Sequence, residues 1–119
     1  MEDKLTIISE KAIQFRNDRD WKQFHDPKNL AEAISIEAGE LLEHFLWIKN
    51  ADSSFSLEPQ KLEEVKEEIA DIMIYLLYIC DGLKIDLSEA VERKIRINEQ
   101  KYPVSKSKGT SKKYGELNT

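Results

Sequence analysis

From Ile69 to Cys80 every residue is apolar or aromatic except Asp71. This run constrains the fold more than any other stretch. It falls short of the roughly 18 apolar residues that cross a membrane, and it shows helical rather than strand periodicity. On a helix that starts near Pro59 and turns about 100° per residue, Leu62, Val65, Ile69, Ile72, Met73, Leu76 and Ile79 form one stripe. Ile74, Tyr75 and Tyr78 surround Asp71 on the other side. The stripe is expected to be core. The second apolar face is expected to meet another subunit.

The same periodicity runs through the whole chain, so the expected fold class is all-α. One helix is expected from Asp3 to Arg16, with Leu5, Ile8, Ala12 and Phe15 on one face. A polar turn with Trp21, Phe24 and His25 follows. Asn29 is placed to cap a second helix from Leu30 to Lys49. The loop "NADSSFS" leads to a third helix, started by Ser56 and Pro59 and ended with the help of Gly82. Asp86 and Glu89 have capping-box spacing for a fourth, which Pro103 stops after Tyr102. Residues 1–102 thus read as one helical domain. Residues 103–119 read as a basic tail, mobile or ordered only by a partner or ligand.

Charge narrows the function classes. The chain of 119 residues carries a net charge of -5. Lys106, Lys108, Lys112 and Lys113 against Glu116 make the tail basic, so the helical body is more acidic than the total. Such a body repels nucleic acid, and none is expected as a partner. It takes up a polyanion only through intervening cations. Cys80 is the single cysteine, so no disulfide forms within a chain, and its apolar setting marks a structural thiol. The first residues do not read as a secretory leader and no run reads as a membrane span, so the expected location is cytoplasmic.

Acidic residues sit where a core should be. On the second helix Leu30, Ala33, Ile34, Leu41 and Ile48 define an apolar stripe. Glu37 falls inside it and Glu40 at its edge. On the third helix Glu68 flanks the stripe, three residues before Asp71. Buried acids cost several kcal/mol unless paired or bound to metal. Two pairs at i, i+3 on antiparallel neighbours would converge, and four bare carboxylates repel. A divalent cation with oxygen ligands resolves this, and Mg²⁺ is the natural one. Gly39 between the acids suggests a close approach by a helix or ligand. His44 reads as a satisfied buried or interface histidine, and Glu63, Glu64 and Glu67 as solvated charges.

At these residues the sequence resembles the MazG-type nucleotide pyrophosphohydrolases of the all-α NTP pyrophosphatase superfamily. The shared signature is ExxE followed by ExxD, here Glu37/Glu40 and Glu68/Asp71. "DRDWKQFHDPKNL", "IEAGELLEHFLW", "EEIADIMIYL", "KIRINEQKYP" and "SKKYGEL" are similar to the dCTP pyrophosphatase branch of that family. The likeness runs from Phe15 to Leu117 and carries no substrate contact onto the residues before Phe15. It implies a four-helix bundle-like subunit in a homotetramer, a dimer of dimers, with sites near subunit interfaces. It implies Mg²⁺, with Mn²⁺ as a substitute, on Glu37, Glu40, Glu68 and Asp71. It implies a substrate site of Trp21, Lys22, Gln23, Phe24, His25 and Trp47, with Tyr75, Lys94 and Asn98 near the nucleotide. The implied reaction converts a nucleoside triphosphate, dCTP or a modified dCTP, to monophosphate and pyrophosphate. Glu37 or Glu40 would activate the water.

Two other readings fit the residues alone: a metal-dependent phosphoesterase with another substrate, and a non-catalytic helical module whose acids pair across an interface. A Walker loop, HExxH and a Ser-His-Asp arrangement are all absent from the sequence.

Overall fold

The computed structural model describes residues 3–48 and 57–117. Among these the chain is all-helical, with five α-helices and no strand: α1 (Lys4–Asp18), α2 (Pro27–Glu43), α3 (Pro59–Leu83), α4 (Leu87–Lys101) and α5 (Val104–Ser107). Two 3₁₀ turns, Lys22–Phe24 and Tyr114–Glu116, complete it. No described helix is long and apolar enough to cross a membrane. The chain divides into two compact units, Met1–Ile85 and Asp86–Thr119.

In the first unit, Asp3 caps α1, its carboxylate accepting from the Thr6 amide at 2.7 Å. Asp26, and not Asn29, caps α2, because Pro27 is already pre-set for the first helical turn. The Asn29 side chain instead donates to the Phe24 carbonyl at 3.1 Å and ties the 3₁₀ turn to α2. α2 ends at Glu43, earlier than expected, and residues 44–47 continue as turns. Trp47 sits there with φ 69°. The expected helix end at Lys49, the loop after it and Ser56 lie outside the described residues. Gly82 remains inside α3, and Lys84, in the left-handed region at φ 58°, closes that helix.

α3 packs chiefly against α2 and less extensively against α1. His44 meets Glu64 and Glu68, while Glu37 shares a hydrogen bond with Glu68, so α2 and α3 run antiparallel. Among the described residues, the buried apolar ones are Leu30, Val65, Leu77 and Tyr78. Much of the α3 stripe expected as core faces outward: Leu62 is 42% exposed, Ile69 53% and Leu76 38%. The helix has turned its other face, with Tyr78, toward α1, where the Tyr78 hydroxyl donates to the Ala12 carbonyl at 2.8 Å. The sequence marked both faces as apolar, and in a single chain α1 and α2 cover only part of that surface. Nor does anything approach Gly39 within the chain, where an added Cβ would meet no atom within 4 Å.

With so few buried side chains, each counts heavily. Leu30→Ala is expected to cost about 2–5 kcal/mol. The check is a lower urea midpoint with an unchanged denaturant slope.

In the second unit, Asp86 caps α4 by accepting from the Glu89 amide at 3.1 Å. Pro103 ends α4 as expected. The segment beyond it carries helical turns: the Tyr114 amide donates to the Tyr102 hydroxyl at 3.2 Å, and Lys101 Nζ lies 5.8 Å from the Tyr114 ring centroid. No residue of α4 is buried.

Candidate active site

The antiparallel pairing of α2 and α3 brings three of the four expected carboxylates together. One oxygen from each of Glu37, Glu40 and Glu68 lies within 4.8 Å of the others. Within these carboxylates, Glu37 Oε2 and Glu68 Oε2 are shielded from solvent with no hydrogen-bond donor. A hydrogen bond shared with Glu68, then burial, then the charges of Glu40 and Asp71 push the Glu37 carboxyl up to about 7. The same shared bond holds Glu68 below the usual range, helped by Glu40 and His44. Without a cation the crowding of carboxylates therefore favours a proton on Glu37. Oxygen-only donors, converging and lacking partners, fit a hard divalent cation.

Asp71 stands apart from this triad. The i, i+3 step turns it about 60° away from Glu68 around α3, onto the side facing α1. There it lines a cavity of about 440 Å³ together with Ile8, Lys11, Ala12, Phe15, Trp21, His25, Ile74, Tyr75 and Tyr78. Cavity and cluster adjoin. Asp71 is felt electrostatically at Glu37, and burial followed by the charges of Glu37, Asp71 and Glu40 raises the Tyr75 phenol. Expected site residues Trp21, His25, Tyr75 and Asp71 thus share one cavity.

The cavity's aromatic wall is built by stacking. The His25 ring lies on Tyr78, centroids 5.3 Å apart and planes at 23°, with its edge toward Tyr75. The Trp21 edge meets Phe15 at 5.7 Å. Burial, then the nearby Arg16 charge, lowers the His25 pKa, so this imidazole is neutral at physiological pH. Its Nδ1 is buried without a partner.

The other expected substrate residues are placed less centrally. Gln23 Nε2 donates to the Asp20 carbonyl and carboxylate, both at 3.0 Å. Lys22 is exposed and Phe24 is 61% exposed. Trp47 is 91% exposed and outside the cavity of its own chain. Lys94 and Asn98 lie four residues apart on exposed positions of α4, in the second unit.

A second, polar cavity of about 400 Å³ opens beside the triad, lined by Glu40, Glu43, His44, Lys61 and Glu68. Lys61 Nζ is 3.3 Å from His44 Nδ1, and His44 Nε2 is 3.7 Å from Glu68 Oε1. His44 is thus a neighbour of the carboxylate cluster. Its signal in the sequence was the i+4 step from Glu40. Cys80 is part-buried, and burial pushes its thiol up, as suits a structural residue.

An all-helical chain with carboxylates from two antiparallel helices meeting beside an aromatic cavity matches the MazG-like family over residues 33–117, and the chain belongs to that family. Among its relatives is dCTP pyrophosphatase 1 of Rattus norvegicus, 38% identical over 98% of this chain and 69% of that protein. The dCTP pyrophosphatase 1 of Homo sapiens is 36% identical over the same shares. A crystal structure of a pyrophosphatase from Archaeoglobus fulgidus superposes with a TM-score of 0.79 at 45% identity, covering 87% of this chain and 95% of that one.

Proposed function

We propose that this chain hydrolyses deoxynucleoside triphosphates, with dCTP or a modified dCTP preferred, to the nucleoside monophosphate and pyrophosphate in an Mg²⁺-dependent reaction. Its standing as a nucleoside triphosphate pyrophosphohydrolase rests on its family and its relatives. The choice of dCTP follows the relatives named for that nucleotide. The observation that carries the metal-dependent reading is the Glu37/Glu40/Glu68 cluster with its two donorless oxygens.

Glu37, Glu40 and Glu68 would hold the cation, and Asp71 would complete the set from the cavity side. A bound Mg²⁺, or Mn²⁺ in its place, neutralises triphosphate charge and acidifies water. Trp21 and His25 supply aromatic surface for a base in the adjoining cavity. Attack by water in line on the α-phosphorus breaks its bond to the bridging oxygen, which leaves with pyrophosphate. Glu37 or Glu40 takes the proton that water loses. Lys94 and Asn98 are proposed to meet the nucleotide. Trp47 keeps its proposed stacking role only toward a cavity that a second copy completes.

The outward Leu62, Ile69 and Leu76 support assembly of copies through α3, as a dimer of dimers. The decisive experiment is product analysis on a panel of nucleoside triphosphates with Mg²⁺. Pyrophosphate and monophosphate in equal amounts, fastest with dCTP or its modified forms, are expected. Orthophosphate release, or no turnover of any nucleotide, rejects the proposal.

A further inference from the structure

Behind the aromatic wall lies a charge that the proposed reaction does not use. Arg16 is 2% exposed and is the buried charged residue among those described. Its Nη1 meets Asp81 Oδ2 at 3.0 Å, and its Nε donates to Asn17 Oδ1 at 3.0 Å. Its Cζ sits 5.3 Å from the centroid of the Tyr78 ring, the same ring on which His25 stacks. The Arg16 carbonyl accepts from the amides of Arg19 and Trp21 at 3.2 and 3.1 Å. One residue therefore anchors both parts of the wall: Trp21 through its backbone, Tyr78 and His25 through its side chain. Arg16 itself does not line the cavity.

Stability does not account for this arrangement. Burying a guanidinium carries a desolvation cost that a single pair seldom repays, and apolar residues of similar volume often do as well or better. What the pairing of the buried Arg16 with the part-exposed Asp81 supplies is geometry, because the guanidinium is planar and its donors point in fixed directions. Asp81 projects from α3 one turn beyond Tyr78 and therefore sets Arg16 relative to that ring.

We infer that the Arg16–Asp81 pair is a positioning element, which holds the Trp21–His25 turn against Tyr78 at the spacing needed to take up the nucleoside end of the substrate. The inference rests on the nucleotide reading of the cavity. It assigns the pair to ground-state binding, so removing it raises KM and leaves kcat in place.

The test uses the full chain with the double variant Arg16→Met/Asp81→Leu, whose apolar pair restores packing without the fixed geometry. The KM for dCTP is expected to rise about 10-fold with kcat within about twofold, while the melting temperature stays at or above that of the unsubstituted chain. Arg16→Lys, which keeps the charge without the planar fork, is expected to give a smaller rise. A stable double variant with unchanged KM overturns the inference, and so does a fall in kcat at constant KM. If the double variant fails to fold, Arg16→Lys and Asp81→Asn decide, and unchanged KM in both overturns the inference. Tryptophan fluorescence titrated with a non-hydrolysable dCTP analogue separates this from the broader reading. No response in the unsubstituted chain rejects the cavity as a nucleotide site, and the inference falls with it.

Discussion

Glu37→Gln is expected to lower pyrophosphate release by about 10³-fold, about 4 kcal/mol in the barrier, while leaving the chain folded. The amide keeps the shape of the side chain and removes a negative charge from a crowded cluster. Unlike a cavity-forming change, it should therefore not destabilise the metal-free protein. Its pH signature separates it from a general folding defect. In the metal-free chain the Glu37 carboxyl titrates near 7, against 4.5 for the free side chain. Between those values the native state binds more protons than the unfolded state. The contribution of Glu37 to stability is complete below about 4.5 and is lost as pH rises through 7. Glu68, held low, works the other way: its contribution is present above the ordinary carboxyl range and is lost as pH falls through it, at the acid edge of that window. His25, whose pKa is lowered by burial and by Arg16, contributes in the opposite direction, so the readout is a difference: without metal, the stability of the unsubstituted chain relative to Glu37→Gln should fall from pH 5 to pH 8, and saturating Mg²⁺ should flatten that fall. A difference that is already flat without metal would show that Glu37 holds no raised proton. Wild-type turnover in a folded Glu37→Gln variant would remove the metal site.

The acid cluster was legible in the sequence because helix geometry is rigid. Glu37 inside a stripe of Leu30, Ile34 and Leu41 is a local contradiction that solvent exposure cannot relieve, and α3 then supplies the facing Glu68. Asp71 was harder to place. Spacing groups it with Glu68, yet the turn between them is wide enough to put one against α2 and the other on the α1 cavity. Its share in a metal site depends on how a ligand spans the two. Arg16 gave no signal, since a cation near a helix end is ordinarily solvated and only the approach of Asp81 buries it. His44 is part-buried and has polar partners in Glu64, Glu68 and Lys61, which agrees with a satisfied histidine, but its helical position did not show that it borders the acid cluster. Only part of the α3 surface exchanged roles: Leu62, Ile69 and Leu76 face outward and Tyr78 inward, while Val65 of the same stripe is buried, because periodicity shows that two sides are apolar without showing how much of each the same chain covers.

That exchange carries the second large effect. On the proposed assembly through α3, Ile69→Lys combined with Leu76→Lys is expected to lower the sedimentation coefficient in sedimentation velocity and to lower the melting temperature. Leu62, Ile69 and Leu76 recur every seven residues on α3, and all three are more than a third exposed in the isolated chain. A stripe with that spacing is what a neighbouring helix can interdigitate with. On α2, Ile36 is 63% exposed and the open position at Gly39 lies three residues further along, leaving room for a close approach. Leaving this surface in water forfeits roughly 25 cal/mol for every Å², a large loss for a chain whose buried apolar residues, among those described, are Leu30, Val65, Leu77 and Tyr78. Paired lysines in the stripe would have to be desolvated without partners on assembly, whereas in the single chain they stay solvated and cost little. The same pair of substitutions should therefore weaken association far more than it disturbs the subunit. An unchanged sedimentation coefficient would show that the assembly, if it forms, uses another face.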